Sequence, residues 1–204
     1  LAVGSALASK LKGERFVSIS YLGDGAIEEG IVHESLNLAR INNCPVIFIV
    51  ENNLFSSHLN INLRQPKELT YRFAESHDIE SKVLDGNNLT LICETGKDYI
   101  TRCRNGEGPF FIEAITYRWL GHVDWREDID VGISRSKEDL NLWKKKDPIL
   151  RLKKSLINKL NFSVDEFKIL EQKIQKNIDK AWDSAIKDKS PKWEETNKYV
   201  LKSN

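Results

Sequence analysis

The chain has 204 residues, 40% of them hydrophobic, and its 31 basic and 30 acidic side chains leave a formal charge of +1. That is enough apolar content to bury a real core, and the length favours one domain with a helical appendage. No stretch has the length or purity of a membrane span, and the start carries no charged-then-apolar signal segment, which excludes an integral membrane role and predicts a soluble, intracellular protein.

The charge is unevenly placed. Residues 135–204 carry 18 basic and 11 acidic side chains, or +7, against −6 for residues 1–134. The basic groups are mixed with acids and spaced as on solvated helix faces, with no basic-aromatic recognition motif, so docking to a protein partner is favoured over nucleic-acid binding. Cys44, Cys93 and Cys103 follow no C-x-x-C spacing and have no histidine in metal-ligand register, so they read as buried thiols in a reducing compartment.

In chain order, residues 1–12 place Gly4, Leu7, Ala8 and Leu11 on one helical face, and Gly13 ends the helix. An apolar strand over residues 16–22 opens into Gly23-Asp24-Gly25-Ala26. A helix over residues 31–40 follows, with Ile31, Glu34, Ser35, Leu38 and Ala39 at helical spacing, and Glu28 and Glu29 lie in its first turn, where the helix dipole favours carboxylates. A second strand over residues 45–50 runs into Glu51-Asn52-Asn53. One strand-helix-strand unit with a right-handed crossover brings both strand ends to the same sheet edge, where open α/β sheets bind ligands, so Asp24 and Asn53 are expected to lie close together.

A carboxylate and an amide oxygen at one edge suit a hard cation such as magnesium, which takes six oxygens, some of them from a ligand's phosphates. Gly23 and Gly25 lack a Cβ and would let a bulky anion approach, and the helix starting near residues 29–30 offers its N-terminal amides. The expected occupant is a magnesium-bridged diphosphate. A dinucleotide fingerprint would need its third glycine earlier than Gly30, and no Walker loop is present. The structural alternative is a Gly-Asp-Gly turn whose aspartate caps a helix, with Asn52-Asn53 a loop tolerant of positive φ.

Residues 56–66 read as a loop over this edge, and residues 69–77 as a short helix with Leu69 and Phe73 on its apolar face. Residues 83–88 form a strand running into a turn whose Asn87-Asn88 has no Gly-Asp-Gly at a suitable distance. Residues 89–104 are amphipathic through Leu91, Ile92, Thr95, Tyr99 and Cys103, residues 106–109 break the helix, and residues 110–116 form a buried strand. That strand delivers Tyr117 to His122 to the ligand edge. Near neutral pH His122 can donate hydrogen bonds to a phosphate or an enolate oxygen and can move a proton. Arg118 either binds an anion or braces the loop.

Residues 123–135 are acidic through Asp124, Glu127, Asp128 and Asp130, and Arg135 is expected to tie this loop down through a carboxylate. Ser134 and Ser136 precede a helix over residues 138–145, and Ser136 with Asp139 fits a cap followed by first-turn acids. Pro148 suits the first position of a helix over residues 149–159. Ser163 and Glu166 form a capping box opening a long helix to about Lys189, with Phe167, Leu170, Ile174, Ile178, Ala181 and Ala185 at helical spacing. The tail from Ser190, with Trp193, Tyr199 and Val200, reads as a surface strap.

Three ordered motifs carry a resemblance. Gly23-Asp24-Gly25 followed by Asn52-Asn53 resembles the thiamine-diphosphate signature, Tyr117-Arg118-Trp119-Leu120-Gly121-His122 resembles a Tyr-Arg-x-x-Gly-His loop, and the stretch from Trp143 to Leu150 resembles a Trp-x-x-x-Asp-Pro-(Ile/Leu) helix junction. Together they resemble the alpha subunit of the thiamine-dependent 2-oxo-acid dehydrogenases, the first components of the pyruvate, branched-chain and acetoin systems. The resemblance implies a three-layer α/β/α thiamine-diphosphate-binding fold with a mainly parallel sheet over residues 1–134 and a helical extension over residues 135–204. It also implies that the chain is the C-terminal part of a subunit with a further N-terminal segment.

The resemblance further implies decarboxylation of a 2-oxo acid such as pyruvate and transfer of the acyl unit to a lipoyl group, with thiamine diphosphate and Mg2+ as cofactors. Asp24, Asn53 and the carbonyl of Phe55 would hold the metal, Gly23, Asp24, Gly25, Ala26 and Asn53 would meet the cofactor, and His122 would act as the catalytic and cofactor-contacting histidine. The implied partners are a beta subunit in an α2β2 heterotetramer, required for activity, and a lipoyl-bearing acyltransferase; the implied compartment is the cytoplasm or the mitochondrial matrix. Two alternatives remain open: a transketolase-like or acetoin-cleaving thiamine enzyme, and a non-catalytic cofactor-binding assembly subunit. His33 and Glu34 match the family's His-Glu pair, and His33 reads as structural. The family usually carries Asn or Gln at one of positions 28 and 29, so Glu28 departs from the pattern. Val123 stands where kinase-regulated members carry their first phosphorylated serine, which argues against that form of regulation.

Overall fold

The computed structural model describes residues 1–123, 125, 126 and 135–195. The predicted loop from 123 to 135 and the tail residues Tyr199 and Val200 lie largely or wholly outside them. Contacts divide the chain into two units, Leu1–Leu152 and Lys153–Asn204.

The first unit is built on four parallel strands, β1 (Ser18–Gly23), β2 (Val46–Asn52), β5 (Glu80–Asp85) and β6 (Phe110–Ile115), in the order β1-β2-β6-β5. A two-stranded hairpin, β3 (Phe55–Ser56) and β4 (Leu59–Asn60), stands apart from the sheet after β2. The helices are α1 (Ala2–Leu11), α2 (Gly30–Ile41), α3 (Tyr71–Glu75), α4 (Leu89–Arg104) and α5 (Lys137–Lys144), with α6 (Pro148–Leu160) following. Single 3-10 turns fall at Ala26–Glu28 and Ile61–Leu63.

The layers follow from strand order. The β1-to-β2 connection steps one way across the sheet and carries α2, while the β5-to-β6 connection steps back the other way and carries α4. Right-handed crossovers then put the two helices on opposite faces. Side chains alternate accordingly. Val46, Phe48, Val50 and Phe111 pack with Val32, Leu36 and Ala39 of α2, Val3 and Ala6 of α1, and Ala74 of α3. Ile47, Phe110 and Ile112 point the other way, onto Tyr99 and Cys103 of α4. The Tyr99 and Phe110 rings stack at 4.3 Å, and burial pushes the Cys103 thiol up to about 12. This is the expected three-layer α/β/α fold with a parallel sheet.

Two helix faces are rotated from the sequence reading. In α1 the buried residues are Val3, Ala6 and Ser9, while Gly4 and Ala8 are exposed and Leu11 is open to solvent. In α2 they are Val32, Leu36 and Ala39, while Ile31 and Leu38 face outward. Both helices carry more apolar residues than one stripe can bury, so periodicity admits two stripes and the sheet selects one. Strand β1 is likewise covered on one side only: Tyr21 is 65% exposed, because α4 packs over β2, β5 and β6.

In the second unit Ser163 and Glu166 form both bonds of the expected capping box at the start of α7 (Val164–Lys187), and Phe162 meets Phe167 edge-on at 4.7 Å. Among the described residues no helix is long and apolar enough to cross a membrane.

One buried charge organises the join between layers. Glu113 of β6 is fully buried. Its carboxylate accepts from the Thr70 N–H at 2.9 Å, the Tyr71 N–H at 2.9 Å and the Asn52 side-chain amide at 2.6 Å, so it starts α3 and pins the end of β2 together. Glu113→Leu orphans all three donors and should cost about 3 kcal/mol or more of stability, read from denaturant unfolding; a loss below about 1 kcal/mol would show that the network is not structural.

Candidate functional site

In register, Ser18 pairs with Val46 and Gly23 with Glu51. The chain therefore leaves β1 at Asp24 beside the point where it leaves β2 at Asn53, and both sit on the C-terminal edge of the sheet. The Asn53 backbone N–H lies near enough to the Asp24 carboxylate to favour its ionised form, so the expected proximity holds. Asp24 is only 1% exposed, and burial pushes its carboxyl above the usual range, against the pull of the Arg64 guanidinium and two backbone N–H groups.

The two asparagines divide the work. Asn52 is fully buried; its side-chain oxygen accepts from the Leu54 N–H at 3.0 Å, and its amide donates to Glu113 and to the Glu68 carbonyl. Asn53 is partly exposed, and its side-chain oxygen accepts from the Phe55 N–H at 3.0 Å. These two bonds form consecutive side-chain turns that swing the chain into the hairpin. The positive φ in this turn falls on Leu54, at 69°, rather than on either asparagine.

The glycines also differ. Gly23 has open space where a Cβ would stand, but a Cβ on Gly25 would lie 2.3 Å from Ser56 Oγ. Gly25 is thus required by the close approach of the hairpin, and Gly23 is the position open to a ligand. Ala26 is exposed beside it at the start of its 3-10 turn. Glu28 closes that turn, and the N-cap of α2 is Glu29.

The Tyr117–His122 segment extends from β6 onto the same edge. Phe55, Tyr117 and Leu140 form a small buried cluster with Trp143, in which Tyr117 stacks on Trp143 at 5.5 Å and meets Phe55 edge-on at 6.1 Å. Arg118 donates to the Ser57 carbonyl at 3.0 Å and the Leu120 carbonyl at 2.9 Å, while Arg135 donates to the Arg118 carbonyl and lies 4.9 Å from the Tyr117 ring centroid. Arg118 therefore braces the loop against the hairpin. Its Nη1 lies 3.4 Å from His122 Nδ1; a guanidinium only donates, so Nδ1 accepts and the ring proton of a neutral imidazole sits on Nε2.

The second Asn-Asn does serve local structure. Asn88 caps α4 by accepting from the Leu91 N–H, and Asn87 accepts from the Thr116 hydroxyl at 2.8 Å.

Comparison with known proteins adds the lineage. Residues 1–194 match the family described as Dehydrogenase E1 component. The chain belongs to that family. It is 34% identical to the pyruvate dehydrogenase E1 component subunit alpha of Acholeplasma laidlawii over 87% of this chain and 51% of that protein. It is 32% identical to the mitochondrial somatic form of the same subunit in Rattus norvegicus over 100% of this chain and 51% of that protein. The alpha subunit of acetoin:2,6-dichlorophenolindophenol oxidoreductase of Bacillus subtilis is 31% identical over 89% of this chain and 53% of that protein. The chain thus spans about half the length of the relatives it matches.

In this chain Arg64 and His58, both near the site, escaped the sequence reading. Arg64 binds both Asp24 and Glu28. His58, in the hairpin turn, lies 6.4 Å from His122 between ring centroids. Neither has a local signal, since their partners are far away in sequence. Glu28, read as a helix-dipole acid, is instead the second partner of Arg64.

Among the described residues no three His, Cys, Asp or Glu side chains converge on one point. A metal here would be held by one carboxylate and neutral oxygens, a donor set that suits a hard, oxygen-seeking cation. The buried Asp24 carboxylate, paired with Arg64 in this structure, supplies the anionic oxygen of such a set.

Leu140, 1% exposed, wedges the aromatic cluster under the loop. Leu140→Ala should cost about 2–4 kcal/mol and raise amide hydrogen exchange across residues 117–122. Exchange matching the parent would mean that the cluster does not position the histidine.

Proposed function

We propose that this chain is the alpha-subunit portion of a thiamine-diphosphate-dependent 2-oxo-acid dehydrogenase, with pyruvate the leading substrate, working with a beta subunit in an α2β2 assembly and passing its acyl group to a lipoyl-bearing acyltransferase. The observation that carries the reading is the buried Asp24 carboxylate at the mouth of β1, beside Asn53 at the mouth of β2. Family membership and the identity to pyruvate dehydrogenase alpha subunits support it.

In this reading Asp24, the side-chain oxygen of Asn53 and the carbonyl of Phe55 hold Mg2+, and Gly23, Gly25 and Ala26 border the diphosphate. Bound thiamine diphosphate supplies the carbanion chemistry that a 2-oxo acid needs to lose CO2. The protein's share is placement and proton handling. With Arg118 on Nδ1, His122 presents Nε2–H as a donor toward the reacting oxygen and can pass that proton on. Arg118 and Arg135, anchored on backbone carbonyls, keep the imidazole at the sheet edge. The cytoplasm, or the matrix in a mitochondrial organism, is the matching compartment.

The acetoin-cleaving alternative is favoured by the Bacillus subtilis relative, whose identity is similar. Turnover of the assembled enzyme on a panel of 2-oxo acids and acetoin, with an artificial electron acceptor, separates the two.

Titration calorimetry of the natural assembly with Mg2+ and thiamine diphosphate tests the site. Asp24→Ala should weaken binding by about 100-fold or more, the loss of a buried charged ligand; parent-like affinity would refute the assignment. His122→Ala should lower kcat by about 100-fold or more with metal affinity at the parent value. A variant retaining parent kcat would remove the histidine from the chemistry.

A further inference from the structure

Arg64 caps the Ile61–Leu63 turn just after the β3–β4 hairpin. Its side chain is only 8% exposed and reaches back to the β1–α2 connection. Nη2 donates to Asp24 Oδ2 at 2.5 Å, Nη1 donates to Glu28 Oε1, and Nε donates to the Leu59 carbonyl at 3.3 Å. One guanidinium thus joins a buried carboxylate, a second carboxylate that is 25% exposed, and its own hairpin.

This geometry sets two cations in competition. Asp24 Oδ2 carries the arginine, and the nearby N–H groups of Asp24 and Asn53 favour the ionised carboxylate. A divalent ion taking Asp24 Oδ2 as a ligand must displace that guanidinium, which sits on a long, rotatable side chain. The side chain is the part that can move, and Glu28 offers it a second anchor on the same connection.

We propose that Arg64 is a tethered counter-cation that competes with the divalent metal for Asp24, so that metal entry transfers the guanidinium to Glu28 alone. This rests on the proposed metal role of Asp24. Glu28 has a matching purpose: it retains the displaced guanidinium close to the site, and the arginine neutralises a carboxylate that would otherwise repel an arriving diphosphate. Arg64 is a positioning residue in this scheme, acting through Asp24.

The test is binding of Mn2+ alone, with no thiamine diphosphate, to the natural assembly, followed by calorimetry or the spin-resonance signal of free Mn2+. In Arg64→Gln the metal no longer has to displace a charge-assisted hydrogen bond, so it should bind about tenfold tighter or more. Arg64→Lys, a point charge unable to bridge both carboxylates, should fall between variant and parent. Thermal unfolding supplies a second readout. Arg64→Gln should melt below the parent without metal, because Asp24 is left buried and unpaired, and saturating Mn2+ should raise its melting temperature by more than it raises the parent's.

Equal or weaker Mn2+ binding by Arg64→Gln, with binding retained by the parent, overturns the competition and leaves the proposed function standing. An Arg64→Gln protein that stays unfolded in saturating Mn2+ also overturns it, since the metal should replace the lost charge. Absence of Mn2+ binding by both proteins, with or without thiamine diphosphate, overturns the proposed function and this inference together.

Discussion

The site depends on one constraint: a carboxylate is held out of water where two parallel strands end side by side. The β1–β2 register delivers Asp24 beside Asn53, and burial of Asp24 gives that meeting point a charge that must be answered. A buried anion without a counter-charge is costly enough to protonate instead, and its carboxyl is already displaced in that direction. The turn after β1, the hairpin after β2 and the reach of Arg64 from that hairpin all meet at this one oxygen pair.

The surrounding polar network is economical. Asn52 and Asn53 are adjacent in sequence but face different tasks, because side chains alternate at the end of a strand. Asn52 turns inward to Glu113, which caps the start of α3, and Asn53 is left at the edge. Glu113 thus couples the end of β2 to the opening of α3 by direct hydrogen bonds. The same alternation along β6 sends Phe111 to one helical layer and Phe110 and Ile112 to the other.

Placement of His122 rests on packing as much as on hydrogen bonding. The stack of Tyr117 on Trp143, with Phe55 edge-on and Leu140 beneath, locks the start of the loop to the hairpin that carries the proposed metal-ligand carbonyl. Arg118 then spans from Ser57 to the imidazole. The two halves of the proposed site, metal end and histidine end, are therefore joined through Phe55. This also explains why Trp143, far along the chain, belongs to the same sequence pattern as the loop it supports.

The sequence by itself determined the strand-helix-strand unit, the shared edge of Asp24 and Asn53, the extents of α4 and β6, and the Ser163 capping box. Each follows from periodicity, strand direction or hydrogen bonding between residues near in sequence. Tertiary structure alone decided which stripe of α1 and α2 faces the sheet, since both helices carry surplus apolar residues and only the sheet's shape chooses between stripes. It also decided that Gly25 makes room for Ser56 while Gly23 stays open, and that Glu28 answers Arg64 instead of a helix dipole. The last two outcomes join residues 31 and 36 positions apart, and the distance between such groups is set by how layers pack, a quantity no local pattern of residues encodes.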